Sequence, residues 1–211
     1  MSTEATPHAG LRSLLPGFAP GSAGSGSTWR ARLIAEAADL TRSGGWQTIT
    51  MAKLADRVGV SRQTVYNEIG SKQELAEAMV MHEVEGFLRG VDASFEAHPD
   101  DLVGAIREAA AGVLRAVRTN PLMHAVLSAS HGAESDLLPL LTTEASPIID
   151  AARVLIREHL DAYEVPLESA RIDALVDMVI RLVLSHVTTP SGTPEETADD
   201  IAFIAERVLA L

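Results

Sequence analysis

Cysteine is absent from this chain of 211 residues, which excludes disulfides, thiolate metal sites and cysteine nucleophiles together. Aromatic residues make up only 4% of the chain, whereas hydrophobic residues reach 46%, a composition that favours helices over strands. No run of about 18 apolar residues occurs, so no membrane-spanning helix is expected. The first residues have neither the basic region nor the apolar core of a signal peptide. We therefore expect a cytoplasmic protein without a membrane partner.

Basic residues are also scarce, with 17 Lys and Arg against 29 Asp and Glu, but the deficit is uneven. Residues 28–72 carry seven cations against four acids, a net +3, and include both lysines. Residues 73–211 carry nine arginines against 24 acids, a net −15, and residues 1–27 are neutral. Because phosphate binding needs cationic surface, only the basic segment suits a nucleic acid, and the asymmetry indicates two functions on one chain.

Breaker residues divide the chain into a succession of about nine helices, and no segment reads as a strand. The sequence thus predicts an all-α protein with a flexible, Gly- and Ser-rich tail over 1–27, a small domain over 28–72 and a larger helical domain over 73–211. Helices are predicted over 29–42, 50–58, 61–69, 72–92, 101–119, 121–130, 147–162, 167–187 and 194–211, with a further helical turn over 137–141.

The short helices over 50–58 and 61–69 have the spacing of a helix-turn-helix. Ala55 is small enough for two steeply crossed helices to touch, and Gly59 tolerates the positive φ of a tight turn. The second helix is therefore expected to enter the major groove of double-stranded DNA, although a purely structural helix pair stays open. The apolar residues that would bury the pair against a third helix are Leu54, Val58, Val60, Val65 and Ile69.

Polar residues on the second helix suit contact with DNA. Arg62, Gln63 and Thr64 stand in its first turn, and their side chains can meet guanine, adenine and the thymine methyl group respectively. The alternative is that Arg62 and Gln63 are ordinary solvated residues. Contacts to the DNA backbone are expected from Thr28, Arg30, Thr50, Ser61, Tyr66 and Lys72.

Residues 28–75 resemble the N-terminal domain of TetR/AcrR-family transcriptional regulators, and the resemblance rests on the segments GWQTITMAKLA, VGVS, TVY and SKQEL. It implies a repressor that binds a palindromic operator as a homodimer and is released by a small-molecule effector. One position departs from the family pattern, because Glu68 stands where a phosphate-facing His is common. Asn67 is then the expected DNA contact at this edge of the motif.

The acidic segment would be repelled by a duplex, and the resemblance implies that it binds the effector and a second copy of the chain. Residues 167–187 are apolar nearly all round, and residues 194–211 carry an apolar stripe. Two such helices from each subunit can form a four-helix interface. A single domain with an unusually apolar internal helix is the alternative.

An apolar effector is expected, because few cations fall among the residues that would line its pocket. For each apolar residue among them, the alternative is ordinary packing in the core. For each histidine, the alternative is a core or surface side chain whose hydrogen bonds are already satisfied. The candidate lining consists of Met79, His82, Phe87, Leu114, Met123, His124, Leu127, Met178 and Leu182.

Signatures of catalysis are missing from the sequence. His82 and Glu83 are not followed by a second His at the spacing of a zinc-binding helix. Neither a Gly-rich phosphate loop nor a G-x-S-x-G turn occurs. No enzyme activity, cofactor or metal is therefore expected. The alternative from another class is a helical small-molecule or lipid-binding protein in which the helix-turn-helix is only structural.

Overall fold

The computed structural model describes residues 25–128 and 138–209, and within them nine α-helices form, with no strand. The all-α class is therefore confirmed. Two short 3-10 segments, Trp46–Thr48 and Leu138–Leu141, accompany the helices. Most of the predicted tail lies outside the described residues. The helices are α1 (Ser25–Gly44), α2 (Met51–Val58), α3 (Arg62–Glu68), α4 (Lys72–Ala97), α5 (Leu102–Thr119), α6 (Pro121–Ser128), α7 (Ser146–Leu160), α8 (Ser169–Thr188) and α9 (Pro194–Leu209).

Helix α4 runs further than its sequence indicated, to Ala97 instead of residue 92. Ser94 does not interrupt it, because its hydroxyl donates to the carbonyl of Gly90 one turn earlier at 2.9 Å. Phe95 is buried, with 3% of its surface exposed, and this burial stabilises the extra turn. The helix ends just before the His98-Pro99 step, where the residue preceding proline disfavours helical backbone.

The described residues form two compact units, and neither is continuous in sequence. The first, here called the motif unit, comprises residues 25–84, 118–128 and 138–144. The second, here called the acidic unit, comprises residues 85–117 and 145–209. Helix α4 contributes its first half to the motif unit and its second half to the acidic unit. The domain division at residues 72 and 73 stays a prediction.

The core of the motif unit forms where α1, α2 and α3 contact one another. Leu33 of α1, Leu54 of α2 and Val65 of α3 are all completely buried. Ala55 is 1% exposed, as expected for the small residue at a close helix crossing. Of the apolar residues predicted for this core, only Val60 is half-buried. Fully burying side chains of this size contributes about 1.5–3 kcal/mol each, so these contacts are what stabilise the short helices.

Helix α6 belongs to the motif unit and contacts α1. Its N-terminus is capped by Asn120, whose Oδ1 accepts from the amides of Leu122 at 2.9 Å and Met123 at 3.1 Å. The Asn120 Nδ2 donates to Glu83 Oε2 of α4 at 2.5 Å. Leu122 and Met123 are buried, so α6 is held both by its cap and by its packing.

Inside the acidic unit, α8 contacts both α7 and α9. The His159 ring of α7 stacks on Phe95 with 5.0 Å between centroids, and its Nε2 lies 2.7 Å from Asp92 Oδ1. The Tyr163 hydroxyl donates to the carbonyl of His98 at 2.7 Å, and burial raises the pKa of this phenol. These contacts tie the end of α4 to α7.

Within the residues that the structure covers, each helix is too short or too polar to pass through a lipid bilayer.

Replacing Gly59 with Ala should lower the free energy of unfolding by about 1–2 kcal/mol, because a Cβ is disfavoured at its φ of 77° even though the surrounding space is open. Gly90→Ala is the matched control, since Gly90 is helical with open space around its Cβ position, and this change should raise stability by up to about 1 kcal/mol. Urea unfolding followed by circular dichroism measures both. Equal effects of the two substitutions would contradict the assignment of the turn.

Candidate nucleic-acid interface

Helix α2 is bounded by two residues that the sequence singled out. Thr50 caps its start, and the Thr50 Oγ1 accepts from the amide of Lys53 at 3.1 Å. Gly59 ends it in the left-handed conformation, and its amide donates to the carbonyl of Ala55 at 2.9 Å. The chain can therefore reverse within a few residues and begin α3.

Helix α3 has only seven residues, and both local and tertiary contacts hold it. The Ser61 Oγ accepts from the amide of Thr64 at 3.0 Å, which caps the N-terminus. Val65 is fully buried and Ile69, at the C-terminal boundary, is 5% exposed. The opposite side of the helix is thereby directed to solvent.

The solvent-facing side of α3 carries the residues predicted to read bases. Arg62, Gln63 and Asn67 are exposed, and Tyr66 is 52% exposed, while Thr64 is half-buried. Neither the Arg62 guanidinium nor the Tyr66 hydroxyl has a hydrogen-bond partner among the described residues. Arg62 and Tyr66 are therefore available to an external partner.

Gln63 and Asn67 are hydrogen-bonded to each other on this face. The Gln63 Nε2 donates to Asn67 Oδ1 at 2.8 Å, one helical turn away. Pairs of this kind stabilise a helix by only about 0.2–0.5 kcal/mol. The bond therefore orients the two amides and contributes little to holding the fold.

Arg30, predicted as a DNA-backbone contact, has an internal partner. Its NH1 donates to the main-chain carbonyl of Glu68 at 2.7 Å, at the end of α3 where helix carbonyls lack partners within the helix. The Glu68 residue, at which this chain departs from the family pattern, is half-buried. Arg32 of α1 makes a similar hydrogen bond, donating to the carbonyl of Val58 at the end of α2 at 3.4 Å. Both arginines tie α1 to the ends of the motif helices.

Lys72 lies at the first position of α4, with its Nζ 4.7 Å from the centroid of the buried Trp46 ring. The preceding residue, Ser71, forms a capping box with Glu74. The Ser71 amide donates to Glu74 Oε2 at 2.6 Å, and the Glu74 amide donates to Ser71 Oγ at 3.2 Å. The Ser71 amide, and then its hydroxyl, lower the pKa of Glu74. Thr28 also lies in the helical part of the chain, but its side chain is outside the described residues.

The predicted effector-binding residues divide between the two units. The motif unit holds Met79, His82, Met123, His124 and Leu127, and the acidic unit holds Phe87, Leu114, Met178 and Leu182. Buried members are Met79, Met123 and Leu114, and half-buried members are Phe87, Leu127 and Leu182. His82 and His124 are exposed, and Met178 is 62% exposed, so the Met178 side chain is directed to solvent.

Comparisons with known proteins match both parts of the chain. Residues 33–79 match the family described as bacterial regulatory proteins, tetR family. Residues 101–207 match the family described as bacterial tetracyclin repressor, C-terminal domain. Over 164 residues the chain is 30% identical to the HTH-type transcriptional regulator AlkX of Mycobacterium tuberculosis, covering 78% of this chain and 77% of that protein.

Solved structures show the same architecture. The crystal structure of the TetR family repressor AlkX from a Dietzia species, described as implicated in biodegradation of n-alkanes, matches with a TM-score of 0.70 and 27% identity. That match covers 85% of this chain and 96% of the Dietzia chain. The transcriptional repressor QsdR from R. erythropolis matches with a TM-score of 0.61 and 18% identity, over 86% of this chain and 94% of its own, which is a likeness of fold.

Glu74→Gln should lower stability at neutral pH, because the ionised carboxylate is the better acceptor for the Ser71 amide. Since folding lowers this pKa, the contribution is full above the ordinary value of 4.5 and is lost as the pH falls through the folded-state value. The stability difference between the wild type and the variant should therefore shrink below about pH 4.5. Thermal unfolding at pH 3–7 measures it, with Glu77→Gln on the same helix as the control. A difference independent of pH would contradict this role.

Proposed function

Because this chain belongs to the TetR family of bacterial transcriptional regulators, we propose that it represses transcription as a homodimer that binds a palindromic operator and releases it when a small apolar effector binds. The matched relatives are regulators, not enzymes, so binding is the activity to explain. The observation that carries the proposal is that α3 exposes polar residues on the side opposite the fully buried Val65.

In this proposal α3 lies in the major groove. Arg62, Gln63 and Thr64 stand in its first turn, where the side chains of a recognition helix meet base edges. The free Arg62 guanidinium suits the two acceptors of a guanine.

Contacts to phosphate position the motif on the duplex. Tyr66 is assigned to the backbone because 52% of its surface is exposed, and Thr50 and Ser61 because they stand at the starts of α2 and α3. Lys72 adds a cation beside the motif. Arg30 serves chiefly by holding the end of α3 through the Glu68 carbonyl. The Thr28 and Asn67 assignments stay predictions.

Dimerisation through α8 and α9 is supported by apolar side chains that one protomer leaves in water. Met178 of α8 is 62% exposed, and Phe203 and Ile204 of α9 are 56% and 45% exposed. The two helices contact each other, so these residues belong to one packed pair of helices. A two-fold dimer would present two copies of α3 to half-sites about one DNA turn apart.

An apolar effector is supported by the character of the predicted lining and by the Dietzia relative, a repressor described as implicated in n-alkane biodegradation. We propose that the effector shifts the population of α4 positions. Helix α4 begins directly after the motif, and Glu83 of α4 holds Asn120, the cap of α6. Because α6 contacts α1, a shift of α4 can alter the position of the motif helices.

Substituting Arg62 tests the DNA-binding proposal. An operator is first selected from random duplexes by the wild-type dimer. Arg62→Ala should weaken binding to that operator by about 1–3 kcal/mol, because one guanine contact is lost. Arg57→Ala removes the same charge from α2, but Arg57 already pairs with Glu36 at 2.7 Å, so its effect should be smaller. Fluorescence anisotropy at several salt concentrations measures both. Selection of no preferred sequence at low salt would favour the binding-protein alternative.

Placing a charge on the exposed apolar face tests the dimer. Phe203→Glu should produce monomers, because a carboxylate in an apolar interface is left without a partner. Phe203→Leu is the control and should remain dimeric. Analytical ultracentrifugation reports the mass, and helical content reports folding. A folded Phe203→Glu protein that sediments as a dimer would show that the interface lies elsewhere.

A further inference from the structure

The amide pair on the exposed face of α3 bears on how the operator is read. Gln63 and Asn67 both face solvent, and the Gln63 Nε2 donates to Asn67 Oδ1 at 2.8 Å. We infer that Asn67 is a positioning residue that orients the Gln63 carboxamide, and that the oriented carboxamide selects adenine and rejects guanine at one position of each half-site. This inference rests on the proposed function, since it requires α3 to lie in the major groove.

The selection follows from counting donors and acceptors. A free glutamine carboxamide offers one oxygen acceptor and two N–H donors. In this structure one of the two N–H groups is used by Asn67. The remaining oxygen and single N–H form one acceptor beside one donor. Adenine presents the complementary pair in the major groove, namely the N6 amino donor beside the N7 acceptor.

Guanine is rejected for the same reason. Its major-groove edge presents two acceptors, O6 and N7. A carboxamide with both N–H groups free could donate to both, but the Gln63 amide held by Asn67 has one donor left and would set its own oxygen against an acceptor. Cytosine and thymine each offer the amide only one polar partner. The bond to Asn67 therefore adds to the adenine preference of Gln63 by penalising binding to guanine.

Arg62, the residue next to Gln63, keeps all its side-chain hydrogen-bond donors free within the described part of the chain. No partner of its guanidinium is found among the residues that the structure describes, so all its donors remain for a guanine. Two consecutive residues at the start of α3 thus differ: among the described residues the Arg62 guanidinium has no hydrogen-bond partner, whereas the Gln63 amide is held by Asn67. The operator half-site should carry a guanine for Arg62 and, at a different position, an adenine for Gln63.

The restraint is not needed for the fold. Both amides are exposed, whereas α3 is held by the buried Val65 and the Ser61 cap. Variants at residues 63 and 67 should therefore fold and dimerise normally. A change in base preference without a change in thermal unfolding separates a positioning role from a structural one.

The experiment uses the full chain and its selected operator, with each base placed in turn at the adenine position. The wild type should prefer adenine over guanine by about tenfold or more. Asn67→Ala should lower that ratio about twofold, through tighter binding of the guanine duplex, because the second N–H becomes free and the hydrogen bond that is lost is a weak one. Asn67→Asp keeps the acceptor, so it should weaken all duplexes alike and retain the adenine preference. Gln63→Ala should lose the preference altogether.

Modified bases test whether Gln63 contacts N7 and the N6 amino group of the adenine. Replacing the adenine with 7-deazaadenine removes N7, and replacing it with purine removes the N6 amino group. Each replacement should weaken binding by the wild type about fivefold or more, and neither should change binding by the Gln63→Ala protein. An Asn67→Ala protein with the wild-type ratio, or an Asn67→Asp protein that loses it, would overturn the inference while the proposed function stands. A wild-type protein without any sequence preference would overturn both.

Discussion

Seven residues are too few for a helix to persist in water by its own hydrogen bonds, and α3, the proposed reading element, has only seven. Its existence depends on its contacts with α1 and α2 and on the burial of Val65 and Ile69. The Ser61 hydroxyl accepts from one amide at the N-terminus, and Arg30 donates to a carbonyl at the C-terminus. Because the buried side of α3 is fixed in this way, the direction of its exposed side is fixed as well.

The uneven charge of the chain is consistent with this arrangement. A net charge of −12 argues against nucleic acid only if it is averaged over all 211 residues. The segment that holds the motif is positive, and the acids are concentrated after it. A surplus of only three cations is modest for a polyanionic partner, which favours the proposed dimer, because two copies of the motif double the cations near the duplex. The exposed Met178 and Phe203 indicate how a second copy could attach.

Features that depend on neighbours in sequence could be predicted, and those that depend on tertiary contacts could not. Gly59 forms the tight turn that its sequence indicated, and the Thr50 cap and the Ser71–Glu74 box likewise involve only residues a few positions apart. The Arg30 contact with the end of α3 joins residues 38 apart and carries no local signal. The packing of α6 on α1 was missed for the same reason. The Gln63–Asn67 bond could have been predicted, since i,i+4 amides share a helix face.

A titration of three duplexes of equal length tests most directly whether paired copies of α3 read DNA: the full palindromic operator, the same sequence with one half-site scrambled, and a fully scrambled duplex. At physiological salt, the account predicts that the full operator binds at least about a thousandfold more tightly than the scrambled duplex. The half-operator should lose most of that advantage, because one α3 then has no bases to read. Equal binding of the full operator and the fully scrambled duplex would contradict the account.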